Sequence, residues 1–350
     1  MTTTEVSSSS GSLRSYLVTR VLLVIPMVFI LVTVVFFVIR VTGDPIESHL
    51  SGKVPQSVID QARHQAGLDK PLLTQYGEYM WNILHFDFGT AITDNQPITH
   101  LLVVYGSATL ELNIYALIVA FLIGIPLGRL AARYRDRLPD VGLRIFAVLG
   151  YALPVFFIGM LFQLLFAIKL GWLPASGRAS PDVETILNSD VSPNTHLYTI
   201  NAILYGNASY VWDVIKHAIL PSVTLGLLVG GIFLRLVRVN MLQTMRADYV
   251  ESARARGVSE RKIMRKHAFK NALIPVATVM GLQIATLLAG AVLTENTFEW
   301  RGIGFILTQY IRNNDFIAVQ GIVAALAVIV ALVSLAIDVI TALVDPRVRF

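Results

Sequence analysis

The residues of this sequence that could do chemistry are two carboxylates inside apolar stretches, Glu111 and Asp338, the charges Glu295, Glu299 and Arg301, His217, and a charged run from Arg238 to Lys270. An ionisable group among apolar residues is costly to bury without a partner, so Glu111 and Asp338 are candidates for ion coupling or solute contact. Asp338 lies near one end of its stretch, where water or Arg347 can satisfy it, and is read as structural. Glu111 is kept as a candidate for the wall of a translocation path. Glu295 shares that candidacy at the outer mouth, where gating competes with plain solvation, as it does for Glu299 and Arg301. His217 has no second ligand at metal spacing and is read as structural. Arg235 ends an apolar stretch and can snorkel to the interface. Enzyme chemistry has no other foothold. The chain has no cysteine, and it lacks His-Glu-x-x-His, Gly-x-Ser-x-Gly and Gly-x-x-x-x-Gly-Lys-Ser/Thr, which leaves no catalytic or metal site and no cofactor of its own. If ATP drives this protein, hydrolysis belongs to another polypeptide.

The run Asp248-Tyr249-Val250-Glu251-Ser252-Ala253-Arg254-Ala255-Arg256-Gly257 predicts a short helix. Asp248 is placed to cap it with Glu251 reaching back as in a capping box, and Gly257 followed by apolar Val258 is a stop signal. Ser259 then caps a second helix. From Arg238 to Lys270 nine basic residues face three acidic ones, a surface suited to a cytosolic partner. A DNA-binding helix-turn-helix is set aside, because membrane spans tether both ends and orientation accounts for the charge. A lipid-headgroup patch explains the basic residues but not apolar Val250, Ala253 and Ile263.

These groups must be positioned by elements that live in lipid. Of 350 residues 55% are hydrophobic and 15% charged, an apolar surplus beyond the needs of one soluble core. Six stretches are long enough to cross: Val21 to Ile39, Ala108 to Leu127, Ile145 to Ile168, Ala218 to Leu236, Ala272 to Leu293 and Phe316 to Val344. The expected fold is an all-α integral membrane protein with six transmembrane helices. Alternating connections hold 19 Lys and Arg on one side and 9 on the other, so the positive-inside rule puts both termini and the Arg238 to Lys270 run in the cytoplasm. The net charge of +5 and pI near 9.4 follow from that orientation. Prolines 26, 126, 154, 221 and 275 lie in or beside five of the spans and can bend them, and glycines 226, 230, 231, 281 and 290 permit close helix contact.

Before the first span the Ser- and Thr-rich tail is expected to be mobile. The span itself is too long for a signal peptide and is read as retained. Between the first two spans, Gly43-Asp44-Pro45 opens a segment with its own structure. Pro55 to Ala66 reads as one helix stopped by Gly67, and a second follows Pro71. Its apolar residues Leu72, Leu73, Tyr76, Tyr79, Met80, Ile83 and Leu84, with Trp81, predict a helix lying on the membrane or the bundle, as a lid or as a dock for an external delivery protein.

Glu251-Ser252-Ala253, then Gly257, then Asn271-Ala272-Leu273-Ile274-Pro275, resembles the cytoplasmic coupling loop of ABC importer permeases, whose pattern is Glu-Ala-Ala with a downstream glycine. Ser252 departs from the second alanine, and Pro275 lies farther from Gly257 than in the commonest form. The spacing is similar to that of the dipeptide and oligopeptide permease branch. Gly67-Leu68-Asp69-Lys70-Pro71 with Gln75-Tyr76, Asp87-Phe88-Gly89, Thr294-Glu295 with Gly302-Ile303-Gly304, and Asp345-Pro346-Arg347 resemble that branch too. The resemblance covers almost everything after Arg14. It implies a five-helix type I importer core with an extra N-terminal helix, in a bacterial inner (plasma) membrane. The layout would be a disordered tail (1–13), a first span (14–41), an exterior segment (42–100) and a permease core (101–350) with its coupling loop at 238–271. Implied partners are a second homologous permease, two cytosolic ATPase subunits or domains holding ATP and Mg, an extracytoplasmic peptide-binding protein and membrane lipid, with no nucleic acid. Tyr249 to Gly257 would sit in a groove of the ATPase. Nickel or glutathione remains an alternative cargo, and an ion-coupled secondary transporter using Glu111 and Asp338 the alternative mechanism.

Overall fold

The computed structural model describes residues 13–50, 52 and 54–344, and among these every named element is a helix. The tail expected to be mobile and Asp345-Pro346-Arg347 lie outside the described residues. The first helix, α1 (Leu13–Thr42), leads into a segment with α2 (Pro45–Leu50), α3 (Gln56–Gln65) and α4 (Leu72–Leu84). Pro55 and Pro71 stand immediately before α3 and α4, and Gly67 adopts φ +66° after α3, as the punctuation in the sequence requires. The long helix α5 (Ile98–Arg133) follows, then α6 (Leu138–Ala152) and α7 (Val155–Phe162), which runs on into a π-helical segment, 163–169. A second connecting segment carries α8 (Pro181–Ser189) and α9 (Tyr198–Tyr205) before α10 (Ala208–Thr244). Beyond α10 come α11 (Asp248–Ala255), α12 (Glu260–Lys262) with a π-helical continuation, 263–268, α13 (Phe269–Thr297), α14 (Ile303–Arg312) and α15 (Phe316–Val344).

Four of the described helices, α1, α5, α10 and α15, are long and apolar enough to cross a bilayer, and the bent pair α6 and α7 makes five if it is one span. The fifth predicted span falls on α13, 29 residues long. The third predicted span is corrected. The run from Ile145 to Ile168 is broken at Leu153-Pro154, where the two halves meet at 106°. Leu153 takes the extended conformation that a following proline favours, and Pro154 offers no amide to continue the ladder. Pro26, Pro126 and Pro221 lie inside α1, α5 and α10 without breaking them. Pro275, Gly281 and Gly290 lie within α13, and their packing falls outside the described set.

The centre of the bundle is α10. Of its apolar stretch 61% is buried, against 17% to 28% for α1, α5 and α15. Its 37 residues extend for about 55 Å, well beyond a hydrocarbon core of about 30 Å. It runs parallel to α5, and small residues let the two backbones touch. Ala116, Ala120, Gly124 and Gly128 recur every fourth residue on α5 and meet Gly226, Gly230 and the turn at Phe233 and Leu234 on α10. A β-carbon on Gly226 would lie 2.7 Å from the Ala116 carbonyl oxygen, and one on Gly124 2.8 Å from that of Gly230. On another side of α10, Gly231 meets the Ala147 carbonyl of α6 in the same way.

At the edge, α1 and α15 run antiparallel, joined by Arg20 to Asp338 at 3.3 Å and Arg40 to Gln320 at 3.1 Å. Asp338 is thus held by Arg20, a partner not considered in reading the sequence. Helix α4 lies against this pair. Tyr76 bonds Thr33 at 2.7 Å and Ile83 packs among Val32 and Ala324, while Leu73, Trp81 and Leu84 stay exposed.

The α5–α10 seam sets the first expectation. Gly226→Ala should destabilise the protein by about 1–3 kcal/mol, because helix backbones must separate. Gly142→Ala, whose β-carbon meets nothing within 4 Å, should be neutral or slightly stabilising. Thermal unfolding of the detergent-solubilised protein distinguishes the two.

Candidate functional site

Below the end of α10 the chain folds into a small protrusion, residues 245–268. The stretch 238–244, assigned to the loop from sequence, is instead the last two turns of α10. Helix α11 begins at the expected cap itself: Ala247 is the N-cap and Asp248 has already entered helical geometry. From there the Asp248 carboxylate makes no capping bond, so the capping box is not formed. Asp248 and Glu251 sit in the first turn, where the helix end favours negative charge. Ser259 occupies the N-cap of α12, also without a side-chain capping bond.

The predicted stop is complete. Gly257 at φ +74° lets its amide donate to the Arg254 carbonyl at 2.9 Å, and the Val258 amide donates to that of Ala253 at 3.1 Å. This is a Schellman motif, with Val258 packed back over the last turn. Glycine is required there because other residues pay about 1–2 kcal/mol for that backbone conformation.

The nine residues expected to couple divide between two faces. Val250 and Ala253 are wholly buried with Ile263, and Met245 and Val258 pack against them. They are corrected from contact residues to the internal core of the protrusion. Tyr249, Glu251, Ser252, Arg254, Ala255, Arg256 and Gly257 are exposed. Arg254 pairs with Glu260 across the turn, and that hydrogen bond holds its guanidinium pKa above the ordinary arginine value. Tyr249 accepts a 2.9 Å hydrogen bond from Asn271 at the start of α13. Glu251 and Ser252 lie between these anchored ends with their side chains open to a partner. Just above, Asp140 is fully enclosed and takes two bonds from Arg238, at 2.6 and 2.7 Å, which pins the start of α6 to α10.

Glu111 and Glu295 are not open to a path in this conformation. Glu111 is buried against Arg178 at 2.8 Å and accepts from the amide and hydroxyl of Thr199 at 2.7 and 2.5 Å. The Arg178 guanidinium lies 3.7 Å from the centre of the Tyr198 ring. Solvation, the competing expectation for Glu295, is overturned: its side chain is wholly buried. It accepts from Thr109 at 2.6 Å and from the amides of Gly304 and Phe305, at the N-terminus of α14, at 2.8 and 3.0 Å. A β-carbon on Gly302 would overlap this carboxylate. Two motif fragments noted separately, Thr294-Glu295 and Gly302-Ile303-Gly304, therefore form one lock. Glu299 and Arg301 remain exposed, with Arg301 3.5 Å from Glu184. His217 hydrogen-bonds the Asp213 carbonyl at 2.8 Å.

Arg178, Arg238 and Asp140 were not singled out from sequence. The signal was partial: a carboxylate in an apolar helix demands a cation, but Lys169, Arg178 and Lys216 all lie on the same expected side.

Residues 124–350 match the family described as binding-protein-dependent transport system inner membrane component, and residues 13–99 match the N-terminal part of binding-protein-dependent transport system membrane components. The chain is 37% identical over 337 residues to the di/tripeptide transport system permease protein of Pseudomonas aeruginosa (strain UCBPP-PA14), covering 96% of this chain and 98% of the relative. It is 36% identical over 343 residues to the dipeptide transport system permease protein of Escherichia coli (strain K12), covering 95% and 98%. It is 34% identical over 338 residues to the glutathione transport system permease protein of Salmonella choleraesuis (strain SC-B67), covering 96% and 99%.

Because Glu111 and Arg178 are each 5% exposed, Glu111→Ala should cost about 3–5 kcal/mol by leaving an arginine buried without its counter-charge. Glu111→Ala with Arg178→Met should recover part of that loss. Thermal unfolding gives the size, and limited proteolysis should show the 170–207 segment opening first in the single variant.

Proposed function

The chain belongs to the binding-protein-dependent transport system inner membrane component family, and from that membership we propose that it forms, with a second homologous permease, the path of an ATP-driven importer of short peptides. It is a multi-pass membrane protein and a permease component. In the assembly we infer, two cytosolic ATPase subunits hold ATP and Mg, an external binding protein delivers the peptide, and both termini face the cytoplasm of a bacterial cell. The charge asymmetry of 19 against 9 supports that orientation.

The observation that carries the reading is the build of the protrusion. Its apolar interior, glycine stop and Arg254–Glu260 pair make a small stiff body with a polar exposed face. It hangs directly from α10, the most buried of the spanning helices that can be compared. A force applied to α11 by closing ATPases therefore reaches the centre of the bundle through a continuous helix. The Asp140–Arg238 clamp carries it to α6. Alternating access follows if closure rotates α10 together with α5 while the exterior locks at Glu295 and Glu111 hold the far ends as units.

Short peptides are the cargo that the dipeptide and di/tripeptide permease relatives favour. Glutathione, itself a tripeptide, is the second reading, carried by the 34% identity to a glutathione permease.

In the complete transporter, Glu251→Lys reverses a charge on the exposed face and should lower peptide uptake and peptide-stimulated ATP hydrolysis about tenfold, the equivalent of ~1.4 kcal/mol in docking. Gly257→Val, strained at φ +74°, should do the same while insertion in the membrane is retained. Full stimulation of hydrolysis in both variants would reject the assignment. Competition for uptake between dialanine and glutathione decides the cargo.

A further inference from the structure

A cavity of about 490 Å³ opens between the end of α5 and α12. One part of its wall is apolar, from Pro126, Leu130 and Met264, and the other is lined by Arg129, Arg133 and Arg261. The only carboxylate in the lining, Glu260, is already paired with Arg254. None of the three arginines pairs with a carboxylate among the described residues. Arg129 is set in place by the Phe269 ring, 5.4 Å from its guanidinium carbon, and Arg133 lies at the same distance over Tyr134.

The apolar part of the wall continues a stripe. On α5, Leu110, Ile114, Ile118, Leu122, Pro126 and Leu130 recur every fourth residue, and all are exposed. That is a ridge facing outward along the helix, ending where the arginines begin. Hydrocarbon above and fixed cations below, one or two turns apart, match the two parts of a phospholipid whose headgroup is anionic.

We propose that this cavity holds the phosphate-bearing headgroup of an anionic phospholipid, with an acyl chain laid along the α5 stripe. The guanidiniums supply charge-assisted hydrogen bonds to phosphate oxygens, and the stripe replaces water around the chain. Because Arg261 belongs to α12 while Arg129 and Arg133 belong to α5, the lipid bridges the protrusion to the bundle. It would thereby stiffen the joint through which α11 is moved. A site for short peptides is not required for this inference, which concerns a different ligand and a different face.

The test uses the intact transporter, reconstituted in phosphatidylcholine vesicles with and without phosphatidylglycerol, extracted mildly and weighed by native mass spectrometry. Wild type should retain phosphatidylglycerol in preference to phosphatidylcholine. Each cation removed, by Arg129→Gln or Arg133→Gln, should lower retention about fivefold. Arg129→Lys with Arg133→Lys keeps the charge and should retain most of it, which separates loss of binding from loss of fold. Equal retention in wild type and the glutamine variants would overturn the proposal. So would displacement of the lipid by inorganic phosphate alone, which would mark a free-anion site. Efficient cross-linking of Leu122→Cys or Leu130→Cys to another subunit would also overturn it, since the stripe would then be covered by protein. The chain has no native cysteine, so that cross-link is unambiguous.

Discussion

Helices α5 and α10 touch backbone to backbone because the residues between them have almost no side chain. Lipid offers apolar side chains no gain on meeting one another, so association rests on close packing and on polar bonds that hydrocarbon would leave unmade. Gly226, Gly230, Gly124 and Gly128 supply the close packing. The rest of the architecture is arranged around that seam: α6 is drawn in through Gly231, α13 joins the same apolar core, and the protrusion continues from the free end of α10.

Polar bonds then fasten the ends of the helices. At one end, Glu295 closes the turn between α13 and α14 and ties it to Thr109 of α5, while Trp300 donates to the Ala108 carbonyl one residue away. Glu111, a short way along the same helix, reaches the segment between α7 and α10 through Arg178 and Thr199. At the other end the fastening is lighter. A few buried side chains and one exposed ion pair hold the protrusion, and Asp140–Arg238 holds the corner above it. The exposed face of α11 is shaped mainly by that small core, with Tyr249 tied to Asn271 of α13 and Met245 packed against both the small core and the bundle.

Much of this was legible from residue order alone. The spans stood out because twenty or so apolar residues in succession have no other stable environment. The short helices after Pro55 and Pro71 and the stop at Gly257 were legible because proline and glycine act on their own backbone. The short helix ahead of that stop, Asp248–Ala255, was legible for the same reason. The capping box failed because caps are decided by one residue of backbone geometry: with the helix starting at Asp248, a carboxylate one position too far along cannot turn back. Which of the nine residues faced inward also needed the second helix of the protrusion, since Val250 and Ala253 are buried by Ile263 and Val258.

Sequence by itself determined that this protein is built of apolar helices suited to a membrane, and where a short helix with a glycine stop follows α10. Those properties follow from local composition and backbone chemistry, which each segment carries with it. Tertiary structure alone decided that Arg178 and not another cation neutralises Glu111, and that Glu295 is buried rather than solvated. Tertiary structure alone also brought Arg129, Arg133 and Arg261 together around one cavity. The reason is common to all three: each depends on residues distant in the chain arriving at the same place, and charge, shape and burial have no value for a side chain until its neighbours are fixed.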